Sequence, residues 1–361
     1  MKQVFAIYAA FFFILSSHNG QSQNLSAYLD YKNYFQAFDN GEFRQIEYLP
    51  VKSFKIGGAG IAYIDNSNEF IIYADQQKFE QTNAYELSYF TTEYYIAYKV
   101  GRVLSVFEKQ QSQILSYNCS LYSLNDSVLG FFDESNYNLS VYYKGSVITL
   151  ENSLVAPPKN IKTGSNTLGY VDQFNFFKIF YHGKTFVIDN IKPVTFECGR
   201  DLVAYIDDYR HQFHLFYKGD TATVEIFLPD SFKVGYGIVA YVDYLGNFRV
   251  FDQGATKRLL SYRPAFFKVK GNTIVFESNN NFLMYYNGKV YTLENYIPKD
   301  YQMTNDGIAY IDINGRLKLF LKGKEQIVSY EIINQYSLYG NVLTYSVGTN
   351  TTKFFWNEKN Y

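Results

Sequence analysis

The chain has 361 residues, a formal net charge of −1 at pH 7 and a pI near 6.5. That balance lacks the basic footprint of a nucleic-acid-binding protein, and two cysteines, Cys119 and Cys198, are too few for a disulfide framework. Aromatic residues make up 20% of the chain, with 37 Tyr and 33 Phe against seven Pro, which excludes a disordered chain and points to pleated, half-buried surfaces.

In chain order, Lys2 precedes an apolar run from Val4 to Leu15, and Gly20-Gln21-Ser22 supplies small residues where a signal peptidase reads. The run is shorter than the about 20 residues of a membrane-spanning helix, and no Cys follows it to carry a lipid. The expected organisation is a signal peptide over residues 1–22 and one repeat domain over 23–361. The product is expected to be periplasmic, cell-surface or secreted, with no integral membrane segment after cleavage.

From there a single pattern recurs roughly every 35 residues. Its anchor is a small residue followed by an aromatic: Tyr28, Tyr63, Tyr98, Phe131, Tyr170, Tyr205, Tyr241, Phe276, Tyr310 and Tyr345. Around Tyr241 the sequence predicts four strands, 231–235, 238–243, 248–252 and 256–261, separated by Gly-, Asn- or Asp-containing breaks. A glycine between the third and fourth strands recurs as Gly41, Gly145, Gly183, Gly219, Gly254, Gly288 and Gly323, as a tight hairpin demands. All seven prolines fall between one repeat and the next, where no ladder hydrogen bond is lost. The third strand carries apolar residues on both faces, for example Phe213, Leu215 and Phe216, as in a small sheet sandwiched between neighbours.

The segments Gly237 to Asp243 and Asn247 to Asp252 together resemble the WD40-like propeller repeats of TolB-type exported proteins. The resemblance covers nearly all of the expected mature chain. It implies an all-β β-propeller of about ten tandem four-stranded repeats, more than the usual 4–8 blades, with the blade number left open. Even spacing favours one continuous array over two five-bladed rings. The first repeat is expected to lack its first strand and the last its fourth, so that closure combines the two termini.

In a propeller the first strand of each blade lies nearest the axis. An aromatic there (Phe54, Tyr89, Phe196, Phe232, Phe267 and others) is followed mostly by a polar residue. Lys55, Ser123, Lys162, Glu197, Lys233, Lys268, Gln302 and Ser337 are therefore expected to line the channel. Of these, Lys55, Lys162, Glu197, Lys233, Lys268 and Gln302 are the candidate ligand-binding residues, and their charge suits an anion. The Asp that follows the anchor (Asp30, Asp65, Asp133, Asp172, Asp207, Asp243, Asp312) is expected to cap its own turn rather than hold a metal. Asp207, Asp208, His211 and His214 resemble a metal set, but two His three apart on a strand face opposite ways. No cofactor motif, nucleophile elbow or phosphate loop stands out. Glu197 and Glu277 depart from the pattern of their positions. The expected function is a non-catalytic binding or protein-interaction scaffold for a protein or glycan. The competing readings are a carbohydrate-active enzyme, a glycoside hydrolase or lyase with channel carboxylates, and an unclosed structural stalk.

Overall fold

Strands with apolar residues on both faces can be satisfied only by neighbours on both sides, and the chain supplies them from itself. The computed structural model describes residues 24–349 and 351–361, and among these it contains 39 strands and no helix. The strands form ten antiparallel meanders, blades 1 to 10, spanning 25–47, 53–83, 87–116, 119–151, 159–189, 195–225, 231–260, 267–294, 301–329 and 333–360. Blade 7, with strands Ser231–Val234, Ile238–Val242, Phe248–Asp252 and Ala255–Leu260, keeps the predicted boundaries to within a residue. The signal-peptide expectation falls on residues 1–22, outside the described residues.

Each blade is built from consecutive strands only. The described residues of blade 1 form three strands, Leu25–Leu29, Phe35–Asp39 and Glu42–Glu47, without the innermost one. Blade 10 has all four, its outer strand reduced to Lys359–Asn360. One expectation is corrected: the last repeat keeps its fourth strand. Closure joins the two terminal blades by face-to-face packing of blade 10 on blade 1. Phe354 of blade 10 stacks on Phe38 of blade 1 with centroids 4.9 Å apart. Ser26 Oγ lies 2.8 Å from Thr344 Oγ1, and Trp356 Nε1 donates to Asn24 Oδ1 at 3.1 Å.

At six of the ten joints the inter-blade contact is a triad of rings. Phe213, at the start of the third strand of blade 6, packs 5.0 Å from Phe232 on the inner strand of blade 7 and 5.3 Å from the anchor Tyr241. Phe35, Phe70, Phe177, Phe248 and Phe282 repeat this geometry, for example Phe177 against Phe196 at 4.9 Å and Tyr205 at 5.2 Å. On the other face of the same strand, Phe216 packs back into the cluster containing Phe177 and Ile179 of blade 5. Strand alternation thus assigns odd positions to the following blade and even positions to the preceding one.

The same stacking explains the small residue before each anchor. A β-carbon on Gly169 would lie 2.8 Å from Cε2 of Phe196 and 3.2 Å from Cys198 Sγ, because the next inner strand lies directly over it. Anchor hydroxyls are satisfied at the outer edge. Tyr170 donates to Glu151 at 2.7 Å and Tyr241 to Glu225 at 2.8 Å, each glutamate ending the outer strand of the preceding blade. Lys178 then joins Glu151 (2.7 Å) to Asp172 (2.9 Å), and Arg249 approaches Glu225 (3.7 Å) and Asp243 (2.7 Å) likewise.

A meander places its first and third turns on one rim, and its second turn and the link to the next blade on the other. The first rim is the hairpin rim, where Gly41, Gly145, Gly183, Gly219, Gly254, Gly288 and Gly323 all take positive φ. The second is the loop rim, where the recurrent aspartates sit. Asp172 Oδ1 accepts the amides of Phe174 (2.8 Å) and Phe176 (2.9 Å), and Asp243 Oδ1 those of Leu245 (3.0 Å) and Asn247 (2.9 Å). These are turn caps.

Replacing Gly169 by Val forces a branched side chain into the Phe196 ring and is expected to cost about 1–3 kcal/mol by overpacking. Chemical denaturation of the purified chain measures it. A change below about 0.5 kcal/mol, typical of a neutral surface substitution, would show that the blades are not stacked this closely.

Candidate functional site at the propeller axis

The inner-strand aromatics pack against the preceding blade, so the residues that follow them turn to the other face, toward the inner strand of the following blade. Lys55 Nζ donates to the carbonyl of Tyr89 on the next inner strand at 2.7 Å. Lys162 Nζ donates to the Phe196 carbonyl at 2.8 Å and to Glu197 Oε1 at 3.0 Å. Gln302 Nε2 donates to the Tyr336 carbonyl at 2.8 Å, while its Oε1 accepts the Leu338 amide at 2.9 Å. Ser123 Oγ lies 3.0 Å from Thr163 Oγ1. Neighbouring inner strands belong to separate sheets, and these side chains tie one to the next. The expected lining set therefore divides. Lys55, Lys162, Glu197 and Gln302 hold blades together. Lys233 and Lys268 are exposed and have no hydrogen-bonded or carboxylate partner among the described residues, Lys268 resting 4.6 Å over the Tyr301 ring.

The first turn of each blade, between inner and second strands, converges on the axis at the hairpin rim. There, backbone meets backbone. Arg200 N donates to Gly235 O (3.1 Å), Gly237 N to Arg200 O (3.0 Å), Tyr236 N to Gly271 O (2.7 Å) and Asn272 N to Asn305 O (2.7 Å). Blades 6 to 9 are thus laced in sequence. A β-carbon on Gly164, Gly199 or Gly235 would collide with the carbonyl of the following turn, which is why glycine ends these inner strands.

Side chains complete the closure across the axis. Glu93 of blade 3 accepts from Arg200 of blade 6 at 3.4 Å and from Asn305 of blade 9 at 3.0 Å, partners 107 and 212 residues away. Arg200 also lies 4.0 Å from Asp126 of blade 4 and stacks 3.6 Å from the centroid of the Tyr236 ring. Burial, reinforced by the neighbouring Asp126 charge, holds the Glu93 carboxyl above its ordinary value. Burial raises Asp126 as well, against the opposing pull of Ser165 and Arg200. Lys270, beside Asp126 and accessible to channel water, is enclosed by protein on several sides, which lowers its ammonium. The channel has a polar floor.

None of these floor residues stood among the sequence candidates, although the recurrent glycines Gly57, Gly164, Gly199, Gly235 and Gly271 marked the turns that build it. The remaining candidates have structural places. Asp207 caps the turn to Tyr209, Arg210 and Gln212 and holds His214 Nε2 at 3.1 Å, while Asp208 and His211 are exposed. Glu277 takes over the aspartate's role by accepting the Asn280 amide at 2.7 Å. Cys119 and Cys198 are free thiols.

A family model described as "10-bladed beta propeller domain" matches residues 19–361. The chain belongs to that family. No curated protein matches it. Among solved structures, this propeller is similar to a eukaryotic initiation factor, at 10% identity and a TM-score of 0.46 over 84% of this chain and 96% of that one. Hsv2p of Kluyveromyces lactis has 11% identity and a TM-score of 0.36, over 68% and 97%. The computationally designed Ika8 protein has 11% and 0.36, over 74% and 95%. Similarity at this level carries no functional argument.

The two groups of carboxylates in the propeller act in opposite directions with pH. Glu93 and Asp126 are raised, so the folded chain binds their protons more tightly than the unfolded chain, and stability grows as pH falls toward the ordinary carboxylate range. Asp172, Asp207, Asp243 and Asp312 are also penalised by burial, but hydrogen bonds and cationic partners outweigh it and hold them low. Their contribution is complete above the ordinary range and disappears as pH falls below about 4. The melting temperature is expected to rise slightly on mild acidification and then drop, with Glu93→Gln flattening the rise but not the drop. Melts across pH read both limbs, and an unchanged rise in the variant would contradict the floor as described.

Proposed function

We propose that this propeller is an exported, non-catalytic scaffold that docks a protein partner on its loop rim. The observation that supports this is an asymmetry between the rims. On the loop rim, the link Ile226-Phe227-Leu228 is exposed beside the exposed turn residues Tyr244 and Leu245, with the Phe227 and Tyr244 rings 4.4 Å apart. Tyr209, on the neighbouring turn, is 78% exposed. Exposed apolar clusters of this kind, rich in Tyr and Phe, mark protein interfaces. The hairpin rim presents instead tips such as Asn40, Lys144, Lys218, Gln253 and Lys322. Export rests on the leader pattern of residues 1–22.

The glycoside hydrolase reading has one observation in its favour: Glu93 and Asp126 are raised carboxylates that approach the same Arg200 nitrogen, at 3.4 and 4.0 Å. The guanidinium occupies the space between them that a scissile bond and water would need. The scaffold reading therefore accounts better for the pair, as a floor clasp.

Cross-linking in the extracytoplasmic fraction of the native cell tests the proposal. The Phe227→Ser/Tyr244→Ser variant is expected to lose at least tenfold of its cross-linked partner with an unchanged melting temperature, while Lys144→Ser/Lys322→Ser retains it. Equal retention by both variants, or turnover of a glycoside that Glu93→Gln abolishes, would overturn it.

A further inference from the structure

The floor makes the channel a blind cup, entered from the loop rim, and the cup is not electrically even. Of the lysines on its wall, Lys55 and Lys162 are engaged by carbonyls or Glu197. Lys233, Lys268 and Lys270 are not, and they lie on two adjacent inner strands, Lys270 beside Asp126. Lys268 and Lys270 lie two apart on the inner strand Phe267–Lys270 of blade 8, share one face of it and are exposed, while Lys233 holds the position equivalent to Lys268 on adjacent blade 7. The carboxylates facing this volume are Glu197, paired with Lys162, and in the floor Glu93 and Asp126, clasped by Arg200, and Asp306, which accepts from Asn272 at 2.7 Å. Among the described residues Lys233 and Lys268 have no carboxylate in contact and Lys270 has only Asp126 beside it, so this wall carries uncompensated positive charge that an entering anion would offset.

The opposite wall differs in kind. Blade 3 lies five blades from blade 8 and so faces it across a ten-bladed ring. There Phe90 takes the slot that is polar in most other blades and remains 38% exposed. Lys55 covers part of its ring at 4.3 Å, and Tyr122 lies 6.4 Å away. A flat apolar surface opposite a cationic one calls for a ligand that carries anionic groups and an apolar face on the same rigid unit. A pyranose ring bearing a carboxylate or sulfate has both, the C–H face for Phe90 and the anion for the lysines.

We propose that the cup binds an acidic oligosaccharide, carboxylated or sulfated, between the Lys233–Lys268–Lys270 wall and the exposed face of Phe90. The site is separate from the loop-rim patch and stands whether or not a protein docks there.

Calorimetric titration of the full chain tests this with a hexagalacturonate and a sulfated chondroitin hexasaccharide. Neutral cellohexaose, a hexaglutamate peptide and sodium sulfate serve as comparisons. Binding of either acidic sugar is expected, weakening with added salt. Lys233→Gln and Lys268→Gln should each weaken it by about tenfold, one charge-assisted contact apiece. Phe90→Ser should weaken sugar binding, and Lys144→Gln/Lys322→Gln on the hairpin rim should leave it unchanged. The two acidic sugars distinguish carboxylate from sulfate as the recognised group. The proposal is overturned if neither acidic sugar binds, if cellohexaose, hexaglutamate or sulfate binds equally well, or if the channel variants bind like the unmodified chain at unchanged melting temperature.

Discussion

Face-to-face packing of each blade on the next is the constraint on which this propeller depends, and at six joints it takes the form of one phenylalanine ring held between two rings of the next blade. Burying such a side chain is worth about 1.5–3 kcal/mol, and each favourable ring pair adds about 0.5–1.5. A single four-stranded meander buries neither of its faces, so no blade is stable alone. Repetition lets each blade supply the cover its predecessor lacks. The small residue before each anchor follows from the same requirement, since at Gly169 the neighbour's ring already occupies the place of a side chain. So does the closure, where Phe354 meets Phe38 face to face.

Features that every blade must have were legible in the sequence, because ten copies average out local accident. The anchors, the hairpin glycines, the prolines confined to links and the aspartates capping their turns all answer a demand made at each blade. Features of the assembled ring were not. The floor is built from Glu93, Arg200 and Asn305, which occupy turns that differ from blade to blade and meet only when blades 3, 6 and 9 face one axis. The division of the lining residues was equally hidden. Lys55 and Lys233 occupy the same slot, yet one is held by a neighbouring carbonyl and the other is not. Local geometry between two inner strands decides that, and the sequence pattern is silent about it.

The repeat therefore leaves function to the places where repetition does not constrain the residue. Strand interiors are committed to stacking and the outer edges to Tyr–Glu–Lys clasps such as Tyr170, Glu151 and Lys178. What remains free are the turns, the links and the axial slots. The links and second turns carry an apolar rim, the first turns close one end of the channel, and the axial slots give that channel a cationic wall opposite an aromatic one. Binding from the loop rim is the use these three features share.

Rim, floor and cup all presuppose that blades 1 and 10 meet. The most direct measurement is engineered cross-linking at that seam, in the Ser26→Cys/Thr344→Cys variant, where the native side-chain oxygens lie 2.8 Å apart. Oxidation followed by peptide mass mapping is predicted to find an intramolecular 26–344 disulfide in nearly all molecules, since a disulfide needs β-carbons about 3.5–4.5 Å apart. Free thiols at both positions, or bridges only between separate chains, would mean an open array and would contradict the ring together with the axis it encloses.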